Sequence, residues 1–147
     1  VRKGGIMPSD FCYRDDTDVY VTVYWGSVSI VDILETILKR AHDSDLRAAK
    51  AHIVDMSLAT WAEAPTSQVR EQLERLRPAF APPKIPTAFV TPGEFFYGLA
   101  RMYALMEVIY GGAKVEVYRS WDAAAAALGI PLASAEAWTR ERSRADR

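Results

Sequence analysis

Apolar and polar positions alternate most clearly from Val19 to Trp25, where Val19, Val21 and Val23 take turns with Tyr20, Thr22 and Tyr24. A period of two in β-branched and aromatic residues predicts a strand with one face on a core. Phe11–Arg14 gives a shorter strand signal before it, and Asp15-Asp16-Thr17-Asp18 supplies turn chemistry between them, so the two runs predict a hairpin. Gly26 reads as the end of the second strand. The period then changes: Ile30, Ile33, Leu34, Ile37 and Leu38 follow the spacing of a core-facing helix. Ser29 is its predicted N-cap, with Asp32 at the N3 position and Val28 against Ile33 as a staple. Lys39, Arg40 and His42 fall at its negative end, where cations are favoured.

The alternation of strand and helix patterns continues down the chain. Ala48–Met56 predicts a strand centred on Ile53 and Val54. Val69, Leu73 and Leu76 mark a helix that should stop before Pro78. Ile85–Thr91 is a short apolar strand. Thr91, Pro92 and Glu94 then open a third helix, which Gly111-Gly112 closes. Lys114–Tyr118 alternates again. Ser120 should cap a fourth helix over Trp121–Leu128, ended by Gly129 and Pro131, and Ser134 a final polar helix to about Arg144. The order predicts an α/β fold: a mostly parallel sheet of four to five strands with helices packed on it, a mixed edge from the hairpin, and a C-terminal helix. By this reading residues 1–9 form a flexible leader, with Met7 a possible internal start. Residues 10–132 form the α/β domain, and residues 133–147 a helical extension.

Composition narrows the classes of partner. The chain has 147 residues, half of them hydrophobic, a size at which one core suffices. Its 18 Lys and Arg against 19 Asp and Glu give a net charge of −1, which argues against nucleic acid and against anionic membrane surfaces. No apolar run approaches the roughly 20 residues of a membrane span, so no membrane insertion is expected. Cys12 is the single cysteine, which rules out an internal disulfide and suits a cytoplasmic protein.

The chemistry-bearing residues form no complete active site, and neither a cofactor nor a metal is expected. His52, Asp55 and Ser57 invite a triad reading, but residues three apart on a strand point to opposite faces. Asp55 and Ser57 are better read as a strand exit bonding nearby amides. His42 and His52 have no second ligand at a metal spacing, and Asp15, Asp16 and Asp18 lack the glycine and closing glutamate of a calcium loop. No phosphate-binding glycine motif is present. An enzyme would have to use Asp55 and Glu63 near a strand's carboxyl end.

Three stretches carry a family resemblance. Gly26-Ser-Val-Ser29 follows the second strand and opens a helix. His52-Ile-Val-Asp55-Met-Ser57 ends an apolar strand on an Asp. Val115-Glu-Val-Tyr118 leads on through Asp122 and an alanine run to Leu128-Gly129. In this order, over roughly Phe11 to Gly129, they resemble the SpoIIAA-like group, the STAS/SEC14-like, anti-sigma-factor antagonist type of domain. The resemblance implies a non-enzymatic module, regulatory or protein-interacting, used for partner docking or for binding an apolar ligand. Switch domains of the STAS type carry a phosphorylatable Ser in an Asp-Ser step after the Asp-ended strand. Here that step falls on Glu63-Ala64, and Ala64 has no hydroxyl. Ser57, Thr66 and Ser67 remain as phospho-switch candidates.

The third helix is apolar around most of its circumference. Phe95, Leu99, Met102, Met106 and Ile109 form one stripe, with Phe96, Tyr103 and Tyr110 beside it. Such a helix must bury more than one face. Gly98 at mid-helix suggests close approach of another group. Two readings follow. In the first, the helix makes a homodimer or docks a protein partner. In the second, Trp61, Phe96, Tyr97, Arg101 and Tyr103 line a site for a small apolar ligand, with Arg101 meeting an acidic head group.

Overall fold

A computed structural model describes residues 8–79, 84–91 and 114–145. Strand β1 (Ser9–Arg14) pairs antiparallel with β2 (Val19–Val28), in a register running from Ser9 opposite Tyr24 to Arg14 opposite Val19. The predicted hairpin is therefore present. Its turn holds Asp18 at φ 55°, a left-handed conformation that Asp tolerates better than most residues. The Asp18 carboxylate accepts the Tyr13 hydroxyl at 2.7 Å, tying the turn to the strand before it.

Helix α1 (Ile30–Lys39) starts on the predicted capping box: the Ser29 amide donates to Asp32 Oδ2 at 2.8 Å, and the Asp32 amide to Ser29 Oγ at 3.4 Å. A short helix α2 (Ser44–Ala48) precedes β3 (Ala51–Trp61). The strand expected to begin at Ala48 thus begins three residues later. The Asp43 carboxylate caps the Asp45 amide at 3.0 Å and commits residues 44–48 to a helical turn instead. Helix α3 (Thr66–Ala79) contains Pro78, where the sequence pattern stops before it. In the last turn a proline forfeits only one backbone bond, so the helix runs one residue past it.

Strands β4 (Thr87–Val90) and β5 (Val115–Tyr118) complete one mixed five-stranded sheet in the order β1-β2-β3-β4-β5. The pairs β2–β3, β3–β4 and β4–β5 are parallel. Spatial order equals sequence order, and crossovers of one hand place successive helices on the same face. Accordingly α1 and α3 share one core with Tyr24, Val28, Val54, Met56 and Phe89.

The other face is covered by α4 (Trp121–Leu128) and α5 (Ala133–Ala145), which follow the last strand and need not return to the sheet as crossovers. Trp121, Ala124, Leu132 and Ala135 pack there on Val19, Val21, Ile53, Ala88 and Val90. Ser120 caps α4 and Gly129 closes it at φ +67°, both as the sequence predicts. Ser134 does not cap α5. It lies in the first turn and donates to Asp16 Oδ2 at 2.6 Å, anchoring the helix to the hairpin turn. The face of α5 toward β2 and β1 carries Ala135, Thr139 and Ser143, all buried and all small, which brings the helix close to the sheet. Arg142 binds the Asp10 carboxylate and lies 5.3 Å over the Trp25 ring.

No helix among the described residues is long and apolar enough to cross a membrane. The predicted third helix, with Phe96, Tyr97, Arg101 and Tyr103, lies outside the described residues.

Candidate functional site

Polar side chains gather at both ends of the parallel strands. At the amino end Arg40, the C-cap of α1, turns its side chain inward and is 1% exposed. Its Nη1 donates to Thr22 Oγ1 at 2.6 Å, and Thr22 Oγ1 lies 2.9 Å from His52 Nε2. The Tyr20 ring meets His52 edge-on at 5.6 Å, and its hydroxyl donates to Asp43 Oδ2 at 2.7 Å. Burial, helped by the Arg40 charge, holds the His52 imidazole well below its usual range and therefore neutral. Burial and the Asp43 carboxylate push the Tyr20 hydroxyl far up. Thr22, Arg40 and His52 are all sealed from solvent, so this cluster specifies and locks the amino end of the sheet.

The carboxyl end is built differently, and a bulge builds it. Val23 pairs with Asp55 and Trp25 with Leu58, so three steps along β3 face two along β2. One extra residue reverses the side-chain alternation. Before the bulge Val54 and Met56 face α1; after it Ala59 does, with Trp61 packed against the same core. The strand therefore runs to Trp61, where the sequence pattern ends at Met56. Likewise β2 continues through Gly26, at φ +71°, to Val28. Beyond the last β3–β4 pair, Asp55 with Val90, these two strands continue paired to each other as a two-stranded arm, with Val28 and Ala59 buried in the α1–α3 core. Gly26, Ser27, Ser57 and Thr60 are exposed on it.

The root of the arm is the Asp55 carboxylate, 1% exposed. Its Oδ1 accepts the Ser57 amide at 2.9 Å and the Ser57 hydroxyl at 2.6 Å. Its Oδ2 accepts the Trp121 indole N–H at 3.1 Å. Three donors on a buried carboxylate offset its desolvation, since a hydrogen bond to a charged group contributes about 1.5–3 kcal/mol. The sequence reading places Asp55 and Ser57 at a strand exit, each bonding nearby amides; instead both lie within β3, and the Ser57 hydroxyl bonds Asp55 itself. Trp121 as a partner does not follow from spacing, because 66 residues separate it from Asp55. Asp55 shares its face with Trp121 and α4, whereas His52 shares the opposite face with Arg40 of α1, so the two are not joined as a triad requires.

Of the remaining candidates, Trp61 is partly buried against the α1–α3 core. Thr66 and Ser67 are exposed at the start of α3, on the chain that leaves the arm. Glu63 is exposed in the connection between β3 and α3. Ser57, Thr60, Thr66 and Ser67 are thus exposed hydroxyl-bearing residues along one segment of chain. Shallow grooves among the described residues lie elsewhere. One of about 170 Å³ lies between β5 and the end of α4, beside Lys114, Glu116 and Leu128. Another, of about 200 Å³, lies between α4 and the start of α5, beside Trp121, Pro131 and Glu136. No cluster of metal-ligating side chains occurs among the described residues. Cys12, half-buried in β1, has its thiol pushed up to about 11, chiefly by burial, and stays protonated at neutral pH.

No protein-family model matches the chain, and no curated protein matches it.

Proposed function

We propose that this chain is a non-enzymatic, SpoIIAA-like regulatory or protein-interaction module that docks its partner on the β2–β3 arm. The observation that carries the reading is the arm itself: the bulge at Asp55–Leu58 carries β3 beyond its pairing with β4 and leaves Ser27, Ser57 and Thr60 exposed beside the start of α3. Bulges next to functional surfaces commonly re-aim side chains in this way. The SpoIIAA-like part of the reading rests on the sequence resemblance between Phe11 and Gly129. Ser57, Thr66 and Ser67 are the hydroxyls through which phosphorylation would regulate docking. A phosphate at Thr66 or Ser67 would sit at the positive end of α3, where anions are favoured. A second copy of the chain is one partner this reading allows.

Photocrosslinking tests it. A crosslinking residue placed at Thr60, in cells that make the protein, is expected to give one discrete adduct. The same residue at Glu116, on β5, should give none. An adduct of twice the chain's mass identifies a homodimer, and any other discrete mass a different protein. Equal labelling from both positions, or none from Thr60, overturns the arm as the docking surface.

A further inference from the structure

The Asp55 carboxylate joins a surface group to an interior one. Ser57 is exposed, Asp55 is 1% exposed and Trp121 is 6% exposed. The Ser57 amide and hydroxyl both hold Oδ1, at 2.9 and 2.6 Å, while Oδ2 accepts the indole N–H at 3.1 Å. The two oxygens share one rigid plane, so whatever fixes Oδ1 also aims Oδ2. Trp121 is the first residue of α4 and anchors that helix in the core of its face.

We infer that Ser57, Asp55 and Trp121 form a conformational relay, through which loss of the Ser57 hydroxyl bond at the arm loosens α4 on the far side of the carboxylate. The relay deepens the docking proposal by naming how that site is read out. It is intramolecular, however, and its test needs no partner. A partner atom that takes the Ser57 hydroxyl for itself leaves Oδ1 with the amide alone. The carboxylate then turns more freely, and the indole loses a fixed acceptor. Opening of α4 becomes more frequent without a change in the α1 side of the sheet.

Residue-resolved hydrogen exchange on the full chain separates this from ordinary destabilisation. In Ser57→Ala, amides of α4 from Ala124 to Gly129 are expected to exchange about three- to tenfold faster, while those of Ile33 to Ile37 in α1 keep their rates. Trp121→Phe removes the indole donor but retains an aromatic anchor. In that background Ser57→Ala should no longer change α4 exchange, since contacts that act through one group are not additive. The relay is overturned if Ser57→Ala leaves α4 unchanged. It is equally overturned if α4 and α1 accelerate together, or if the Ser57→Ala effect is the same in both backgrounds. The indole N–H resonance of Trp121 gives a second reading: it should shift in Ser57→Ala, and an unmoved resonance counts against the relay. Either failure would leave the crosslinking result at Thr60 untouched.

Discussion

The two ends of the parallel sheet bury polar groups in opposite ways. At the amino end Thr22, Arg40 and His52 are sealed, and the hydrogen bonds that join them run from one buried atom to another. At the carboxyl end a buried carboxylate is held in part by the hydroxyl of an exposed residue. The first arrangement stiffens a junction between α1, β2 and β3. The second puts one member of a buried set within reach of another molecule. A polar cluster in a core is thus informative about function chiefly through whether any of its members touches water.

The contrast breaks most readily at Thr22. Thr22→Val keeps the shape but strips Arg40 and His52 of a shared partner in a buried site. Denaturant unfolding should register a loss of about 3 kcal/mol, because a buried charged group loses an acceptor. A loss below about 1 kcal/mol would mean that the amino end is not locked by this cluster.

Acid offers a gentler probe of the same end. His52 is held neutral in the fold, below its unfolded value near 6.5. Below that pH the unfolded chain binds a proton that the folded chain refuses, so stability is fully present above about pH 6.5 and falls as pH drops. The slope from this group approaches about 1.4 kcal/mol per pH unit. Between pH 6.5 and 5 the wild type should lose stability more steeply than His52→Gln; parallel curves would refute a neutral buried imidazole. The smallest effect belongs to the arm. Thr60→Ala, at an exposed position, should change the melting free energy by no more than about 0.5 kcal/mol. A larger loss would show that the arm serves the fold and not only the surface.

Much of the framework was legible in local chemistry. The alternation of Val19, Val21 and Val23, the Ser29–Asp32 box, and the Ser120 and Gly129 ends of α4 each act over a few residues, and each appears where the pattern places it. What escaped depends on contacts across the chain. The bulge after Asp55 reverses which residues face the core, so a reader following period two loses the strand at Met56 although it runs to Trp61. Arg40 looks like a charge at a helix end and is instead the most deeply buried cation described, because Thr22 and His52 wait beneath it. Ser134 resembles a cap, but its hydroxyl finds Asp16 in a distant turn. Asp55 and Ser57 stood out as polar residues that would bond nearby amides, but neither their bond to each other nor the Trp121 contact that gives it reach follows from spacing.

The order β1-β2-β3-β4-β5 has a consequence for how the molecule is made. Each strand emerging from a ribosome meets an edge formed by the strand synthesised just before it, so the sheet can grow outward without waiting for distant partners. Helix α5 reaches back furthest among the described residues. It returns to the first hairpin, where Ser134 reaches Asp16 and Arg142 reaches Asp10 across more than a hundred residues of chain. Assembly by succession therefore ends in one closure, and that closure is made only on a hairpin that has already taken its register.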